Sequence, residues 1–117
     1  MKILVFGLEN ENRLLPRLRK RFPHIGFVKH EPSSELGEDG PEIIAIDTVK
    51  GIAEVSLIDD LDSLSPGRSL EGSGMLLTLR ILLKIGSIKS VRIIAVPPSI
   101  GEGEAFEAIC AVIETLA

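Results

Sequence analysis

The stretch Glu42-Ile43-Ile44-Ala45-Ile46-Asp47-Thr48-Val49-Lys50-Gly51 decides the fold of this chain. Its four consecutive apolar residues, three of them β-branched, are typical of a short strand that is buried on both faces. Asp47 stands where that apolar run ends, and open α/β sheets bind their ligands just outside the carboxyl ends of the strands. We therefore expect Asp47 to end a central strand with its carboxylate in an open crevice. The alternative is that Asp47 only satisfies the backbone of the turn that runs to Gly51.

The length and composition of the chain limit the classes of protein to which it can belong. A chain of 117 residues is long enough for one domain, so we expect a single α/β domain over residues 1–117. Only 3% of the residues are aromatic and the formal net charge is -4. Nucleic-acid binding normally requires a basic excess and aromatic stacking, so we expect no nucleic-acid partner.

The cysteine count and the length of the apolar runs bear on the cellular location of the protein. Cys110 is the only cysteine, which excludes an intrachain disulfide and fits a reducing compartment, so we expect a cytoplasmic protein. The chain starts with an apolar run too short for a signal peptide, and no run approaches the roughly 20 residues of a membrane span. We therefore expect no membrane-spanning segment.

Five segments have the pattern of strands. Residues 2–6, 43–47 and 91–96 are continuous apolar runs, as in buried parallel strands, and Pro97-Pro98 ends the last of them. Residues 25–30 and 54–58 are shorter, and the second alternates between apolar and polar residues as a half-exposed strand does.

Three segments have helical spacing. Pro16 is tolerated only in a first turn, which predicts that the first helix begins between Arg13 and Leu15. Met75–Ile85 is apolar nearly all round and is followed by Gly86, so we expect it to be buried against the sheet or against a second subunit, in a monomer or a homodimer. Residues 102–116 carry one apolar stripe that includes Cys110. Alternating strands and helices predict a three-layer α/β/α sandwich with a mostly parallel sheet.

The first helix also carries a basic face. Its members are Arg13, Arg17, Arg19, Lys20 and Arg21. Such a run usually forms a solvated surface, and the alternative is a docking site for an acidic partner.

Five motifs occur in an order that spans nearly the whole chain. They are Ile3-Leu4-Val5-Phe6-Gly7-Leu8-Glu9-Asn10, Ile44-Ala45-Ile46-Asp47, Glu54-Val55-Ser56-Leu57-Ile58-Asp59, Ser69-Leu70-Glu71-Gly72-Ser73-Gly74-Met75 and Val91-Arg92-Ile93-Ile94-Ala95-Val96-Pro97-Pro98. In this order and spacing the chain resembles the hydrogenase maturation endopeptidases, which trim the C-terminal extension from the large subunit of nickel-iron hydrogenases. The resemblance implies the same sandwich fold.

The resemblance also implies a set of metal ligands. In that family an acidic residue after the first turn, the Asp that ends the middle strand and a His in a Ser-x-His loop hold the nickel of the hydrogenase precursor. The middle ligand corresponds to Asp47, which is also the catalytic candidate. The first corresponds to Glu9, Glu11 or Asn12, and the His position falls on Glu71.

The implied activity follows from these ligands. A divalent metal supplied with the precursor, held by Asp47, Glu71 and Glu11 or Glu9, would polarise a peptide bond for attack by water. Carboxylates without an imidazole favour magnesium, calcium or manganese over nickel or zinc. The alternative is a non-catalytic binding protein of the same fold that recognises a hydrogenase subunit or another partner. A small-molecule hydrolase ranks third, because no Ser-His or Cys-His pair can be placed.

Overall fold

A computed structural model describes residues 2–8, 11–29, 42–59 and 75–116, with the backbone alone at residues 75–78. The described residues form a mixed five-stranded sheet and three helices, an α/β fold. The elements in chain order are β1 (Lys2–Val5), α1 (Glu11–Arg21), β2 (Gly26–Lys29), β3 (Glu42–Thr48), β4 (Ser56–Ile58), α2 (Met75–Ile85), β5 (Ser90–Val96) and α3 (Glu102–Leu116).

The strand order across the sheet is β2-β1-β3-β5-β4. Strands β2, β1, β3 and β5 are parallel to one another. The short edge strand β4 runs antiparallel to β5. This confirms the prediction of internal parallel strands near residues 2–6, 43–47 and 91–96. Strand β2, which follows β1 in the chain, lies on one side of β1 at the edge of the sheet. Strands β5 and β4, which follow β3, lie on the opposite side of β3. The topological switch point therefore lies between β1 and β3.

Alternate residues of the central strands contribute side chains to two separate hydrophobic clusters, because successive side chains of a strand point to opposite faces of the sheet. Ile46 and Ile94 belong to one cluster together with the buried residues of α1 and α3. Ala45 and Ile93 belong to the other together with Leu79 of α2. Both faces of β3 and β5 are thus covered, which explains why their sequences are apolar without alternation.

Helix α1 begins at Glu11, so the predicted start between Arg13 and Leu15 is wrong. Pro16 lies in the second turn, where it removes the hydrogen bond that an N–H would donate to the carbonyl of Asn12. The added turn gains from Glu11, since a carboxylate is favourable beside the N-terminus of a helix. The buried side chains Leu14, Leu15 and Leu18 then hold the helix on the sheet.

Helix α2 has the predicted bounds, and Gly86 ends it with φ +81° and an N–H donated to the carbonyl of Leu83 at 3.3 Å. Leu79 is fully buried against the sheet, as expected for this apolar helix. Ile81 and Ile85 are 50% and 67% exposed, so the expectation of burial does not hold for them within this chain.

Helix α3 packs through the predicted stripe, with Ala105, Ile109, Cys110 and Ile113 buried. Cys110 is a free, buried thiol, as expected of a small apolar side chain in a core. Among the described residues, no helix is both long enough and apolar enough to cross a membrane.

Candidate functional site

Asp47 lies at the carboxyl end of β3, beside the turn that follows β1. Its Oδ1 accepts hydrogen bonds from the backbone N–H groups of Gly7 at 3.1 Å and Thr48 at 2.8 Å. The predicted position on a central strand next to that turn is therefore confirmed. The predicted open crevice is wrong, because Asp47 is 0% exposed. The N–H of Phe6 bonds to the carbonyl of Ile46 at 2.9 Å, so the chain leaving β1 continues alongside β3 and covers the carboxylate.

The two hydrogen bonds to Oδ1 fix the orientation of the Asp47 carboxylate. Bonds from N–H groups to an ionised acceptor are shorter and stronger than neutral ones. The bond from Thr48 serves the local turn, since its donor is the next residue. The bond from Gly7 joins the turn after β1 to the end of β3 across the switch point. A carboxylate that ligates a metal is itself usually held by such hydrogen bonds.

Glu11, the second described acidic candidate, begins α1 at the same edge of the sheet. Its Oε2 lies 3.4 Å from Nζ of Lys29, which ends β2, and its side chain is only 16% exposed. Its Oε1 is buried and has no hydrogen-bond partner within the described ranges. Glu11 lines a polar pocket of about 460 Å³ together with Leu8, Asn12, Arg13 and Lys29. Asp47 does not line this pocket.

Two residues at this edge were missed by the sequence analysis. Thr48 is 1% exposed, and its Oγ1 is buried without a hydrogen-bond partner among the residues that the structure describes. Its only sequence signal is a hydroxyl directly after Asp47 at the end of an apolar run. Ser99, in the loop after β5, has φ 66°, a left-handed conformation that is uncommon for residues other than glycine and that clusters at functional sites. No sequence pattern marks it.

The remaining acidic candidates, Glu9 and Glu71, lie outside the described residues. Within residues 2–8, 11–29, 42–59 and 75–116, no group of three His, Cys, Asp or Glu side chains could hold a metal ion. The described carboxylates of Asp47 and Glu11 therefore do not form a metal centre by themselves. A centre at this edge would need a further ligand.

The basic face of α1 is exposed, as expected for a solvated surface. Three of its side chains have partners within the chain. The Arg17 guanidinium lies 4.0 Å from the centre of the Phe106 ring, and Nη2 of Arg19 donates to the carbonyl of Phe27 at 3.1 Å. Arg21 pairs with Glu114 at 2.8 Å. These contacts give the face a structural role in joining α1 to α3 and β2.

Comparison of the chain with protein families, curated proteins and solved structures finds no match. The fold class therefore rests on the sheet topology, and the resemblance to hydrogenase maturation endopeptidases rests on the sequence motifs. Of these motifs, Ile44–Asp47 and Val91–Val96 lie in the described parallel strands β3 and β5. The motif at residues 69–75 lies almost wholly outside the described ranges.

Proposed function

We propose that this chain is a divergent hydrogenase maturation endopeptidase, which removes the C-terminal extension of a nickel-iron hydrogenase large subunit and recognises the metal bound to that precursor. One observation carries the proposal. The carboxylate of Asp47 lies at the topological switch point between β1 and β3, bonded to the turn after β1. This is the place where open α/β sheets bind their ligands.

Two unsatisfied atoms at the same edge support a ligand there. Buried polar atoms nearly always have a hydrogen-bond partner. Within the described residues, Oγ1 of Thr48 and Oε1 of Glu11 have none. A hydroxyl can donate or accept, whereas an ionised carboxylate only accepts, so the two atoms together suit a ligand that offers a hydrogen-bond donor or a cation to Glu11.

In the proposed reaction the metal arrives as part of the precursor. Asp47 and Glu11, with Glu9 or Glu71 as a further ligand, would bind this divalent ion through oxygen, which suits hard cations best. Ion binding beside the scissile bond would polarise its carbonyl for attack by water. Asp47 is the residue proposed to be catalytic, because its orientation is fixed by the backbone N–H groups of the turn after β1 and of β3.

The proposal includes the three-layer α/β/α sandwich of that family. Its support is the division of the core, in which α1 and α3 share one cluster with the sheet. Helix α2 shares the other. The parallel pairing of β2, β1, β3 and β5 agrees with the mostly parallel sheet that the fold requires.

A second candidate function is a non-catalytic binding protein that recognises a hydrogenase subunit or another partner. The complete burial of Asp47 favours it, because a fully buried carboxylate bonded to two N–H groups also has a purely structural use. On this alternative, recognition of the partner would not depend on the charge of Asp47.

The two functions are separated by incubating the purified chain with a nickel-loaded large-subunit precursor and measuring the precursor mass. Loss of the C-terminal extension with wild type, but not with Asp47→Asn, supports the endopeptidase. Asp59→Asn is the matched control, since Asp59 is an exposed acid after β4 and should leave processing unchanged. Stable association without cleavage, equal for wild type and Asp47→Asn, would support the binding protein instead. A precursor that is neither cleaved nor bound would contradict both.

A further inference from the structure

A second pocket opens at the amino edge of the sheet, opposite the edge that holds Asp47. Strands β3 and β5 are paired along their whole length, from Glu42↔Ser90 onward. Strands β1 and β3 are in register only at Leu4↔Ala45 and Val5↔Ile46. At the amino ends of β1 and β3, below these pairs, lies a pocket of about 340 Å³.

The lining of this pocket combines apolar and charged side chains. Leu4, Ile43, Ile44 and Leu116 supply the apolar lining. Lys2, Glu42 and Arg92 supply the charges. The pocket volume falls within the roughly 300–1,000 Å³ of small-molecule sites, and the charged side chains favour a ligand that is itself charged.

Arg92 is the first feature that points to a ligand. It lies in β5 opposite Ile44 and is half-buried. Within the part of the chain that the structure describes, its guanidinium makes no hydrogen bond or ion pair. Partial burial of a charge is unfavourable unless it is paired. The planar guanidinium matches a carboxylate, which it can bind through two parallel hydrogen bonds.

Glu42 is the second feature. The register of β3 with β5 places Glu42 on the same face of the sheet as Ile44 and Arg92. Glu42 and Arg92 line one pocket with opposite charges, yet among the described residues they do not form an ion pair with each other. A ligand that carries both charges would satisfy both side chains, whereas a simple anion would leave Glu42 facing a like charge.

We propose that this pocket binds a small zwitterion, an α-amino acid with an apolar side chain. Arg92 holds the α-carboxylate and Glu42 holds the ammonium group. The apolar side chain of the ligand packs on Ile44 and Leu116, which share that face of the sheet. The site is separate from the candidate endopeptidase site and does not depend on that activity.

The test is a titration of the full chain, followed by amide NMR shifts or calorimetry, with L-leucine, L-valine and L-methionine. Two analogues of leucine remove one charge each: 4-methylpentanoate lacks the ammonium group, and 3-methylbutylamine lacks the carboxylate. We expect at least one amino acid to bind, with shifts at the amides around Ile43 and Arg92, and the matching analogues to bind at least tenfold more weakly. The absence of binding by all three amino acids would overturn the proposal. Equal affinity of an amino acid and its singly charged analogue would do the same.

Substitutions assign the two charges. Arg92→Gln should weaken amino-acid binding at least tenfold. Glu42→Gln should reduce the affinity for leucine to that for 4-methylpentanoate, so that the preference for the zwitterion disappears. Lys20→Gln and Glu54→Gln remove the same charges from exposed positions that do not line the pocket, and should change nothing.

A folding control is needed because Arg92 lies within a strand. If Arg92→Gln does not fold, Arg92→Lys keeps the charge but loses the paired hydrogen bonds, and should still weaken binding several-fold. Glu42 is exposed at the start of β3, so Glu42→Gln should fold. Unchanged leucine affinity in the folded Arg92 and Glu42 variants would overturn the proposal.

Discussion

The backbone N–H of Gly7 donates a hydrogen bond of 3.1 Å to Oδ1 of Asp47, which lies 40 residues further along the chain. The bond joins the turn after β1 to the end of β3 across the switch point of the sheet. It explains why Asp47 is buried, because the turn is drawn over the carboxylate. A ligand that reaches Asp47 must therefore bind beside this hydrogen bond or replace it.

Asp47→Asn should destabilise the protein. At an exposed turn this substitution would change stability little, but here the carboxylate is fully buried and accepts two N–H groups. Hydrogen bonds to charged acceptors contribute about 1.5–3 kcal/mol each at most, and the amide keeps part of that. We expect a loss of about 1–3 kcal/mol in the free energy of unfolding, measured by urea denaturation. Asp59→Asn should stay within about 0.5 kcal/mol of wild type, and an equal effect of the two would contradict this role of Asp47.

Divalent-metal titration should locate the ligands of the proposed site. In calorimetry with and without a metal-loaded precursor peptide, we expect one site, weakened at least tenfold by Asp47→Asn, by Glu71→Ala and by Glu11→Gln. A tenfold loss corresponds to about 1.4 kcal/mol. Pairs of these substitutions should be less than additive, since ligands of one ion act together. Glu54→Gln is the control, and a site that survives all three substitutions would contradict the ligand set.

Ionisation of Cys110 should lower the free energy of unfolding at alkaline pH. Burial raises the pKa of the Cys110 thiol above its ordinary value of 9.0, partly offset by the nearby Arg21 guanidinium. As pH rises past about 9, the unfolded chain loses this proton first, so the stabilisation present below that pH is lost as pH rises towards the folded pKa. Urea denaturation should show the advantage of wild type over Cys110→Ala constant near neutral pH and shrinking above about pH 9. Curves that stay parallel through this range would show that the thiol titrates equally in both states.

Two glycine substitutions should have opposite signs. A Cβ at Gly86 or Gly103 would meet nothing within 4 Å, so neither change is limited by space. Gly86 has φ +81°, which costs an alanine about 1 kcal/mol or more. Gly103 is the second residue of α3, where alanine fits the backbone and stabilises by about 0.4–1 kcal/mol because it restricts the unfolded chain. Thermal unfolding should therefore show a lower Tm for Gly86→Ala and a higher Tm for Gly103→Ala, and a shift of the same sign in both would contradict the assignment.

Most of the sheet could be predicted because its information is local. The continuous apolar runs of β1, β3 and β5 mark strands covered on both faces, and the run Met75–Ile85 marks α2 to the residue. The start of α1 could not be predicted, because the rule for Pro16 considers one lost hydrogen bond and not the burial of Leu14, Leu15 and Leu18 that offsets it.

The candidate site was predicted only in part, because burial depends on long-range contacts. The position of Asp47 follows from the end of an apolar run, whereas its cover depends on Gly7, which no local pattern connects to it. The unsatisfied Oγ1 of Thr48 and the pocket around Arg92 depend in the same way on how strands from different parts of the chain are placed.

The small number of residue pairs between β1 and β3 has a consequence for the dynamics of the sheet. Two residue pairs join β1 to β3, against seven between β3 and β5, so the sheet has a weak joint at its switch point. We expect the amide of Phe6, bonded to Ile46, to exchange with deuterium faster than the amides between β3 and β5. Both proposed ligand sites border this joint, one at each end. A ligand at either site would therefore bind where strands from both sides of this joint meet.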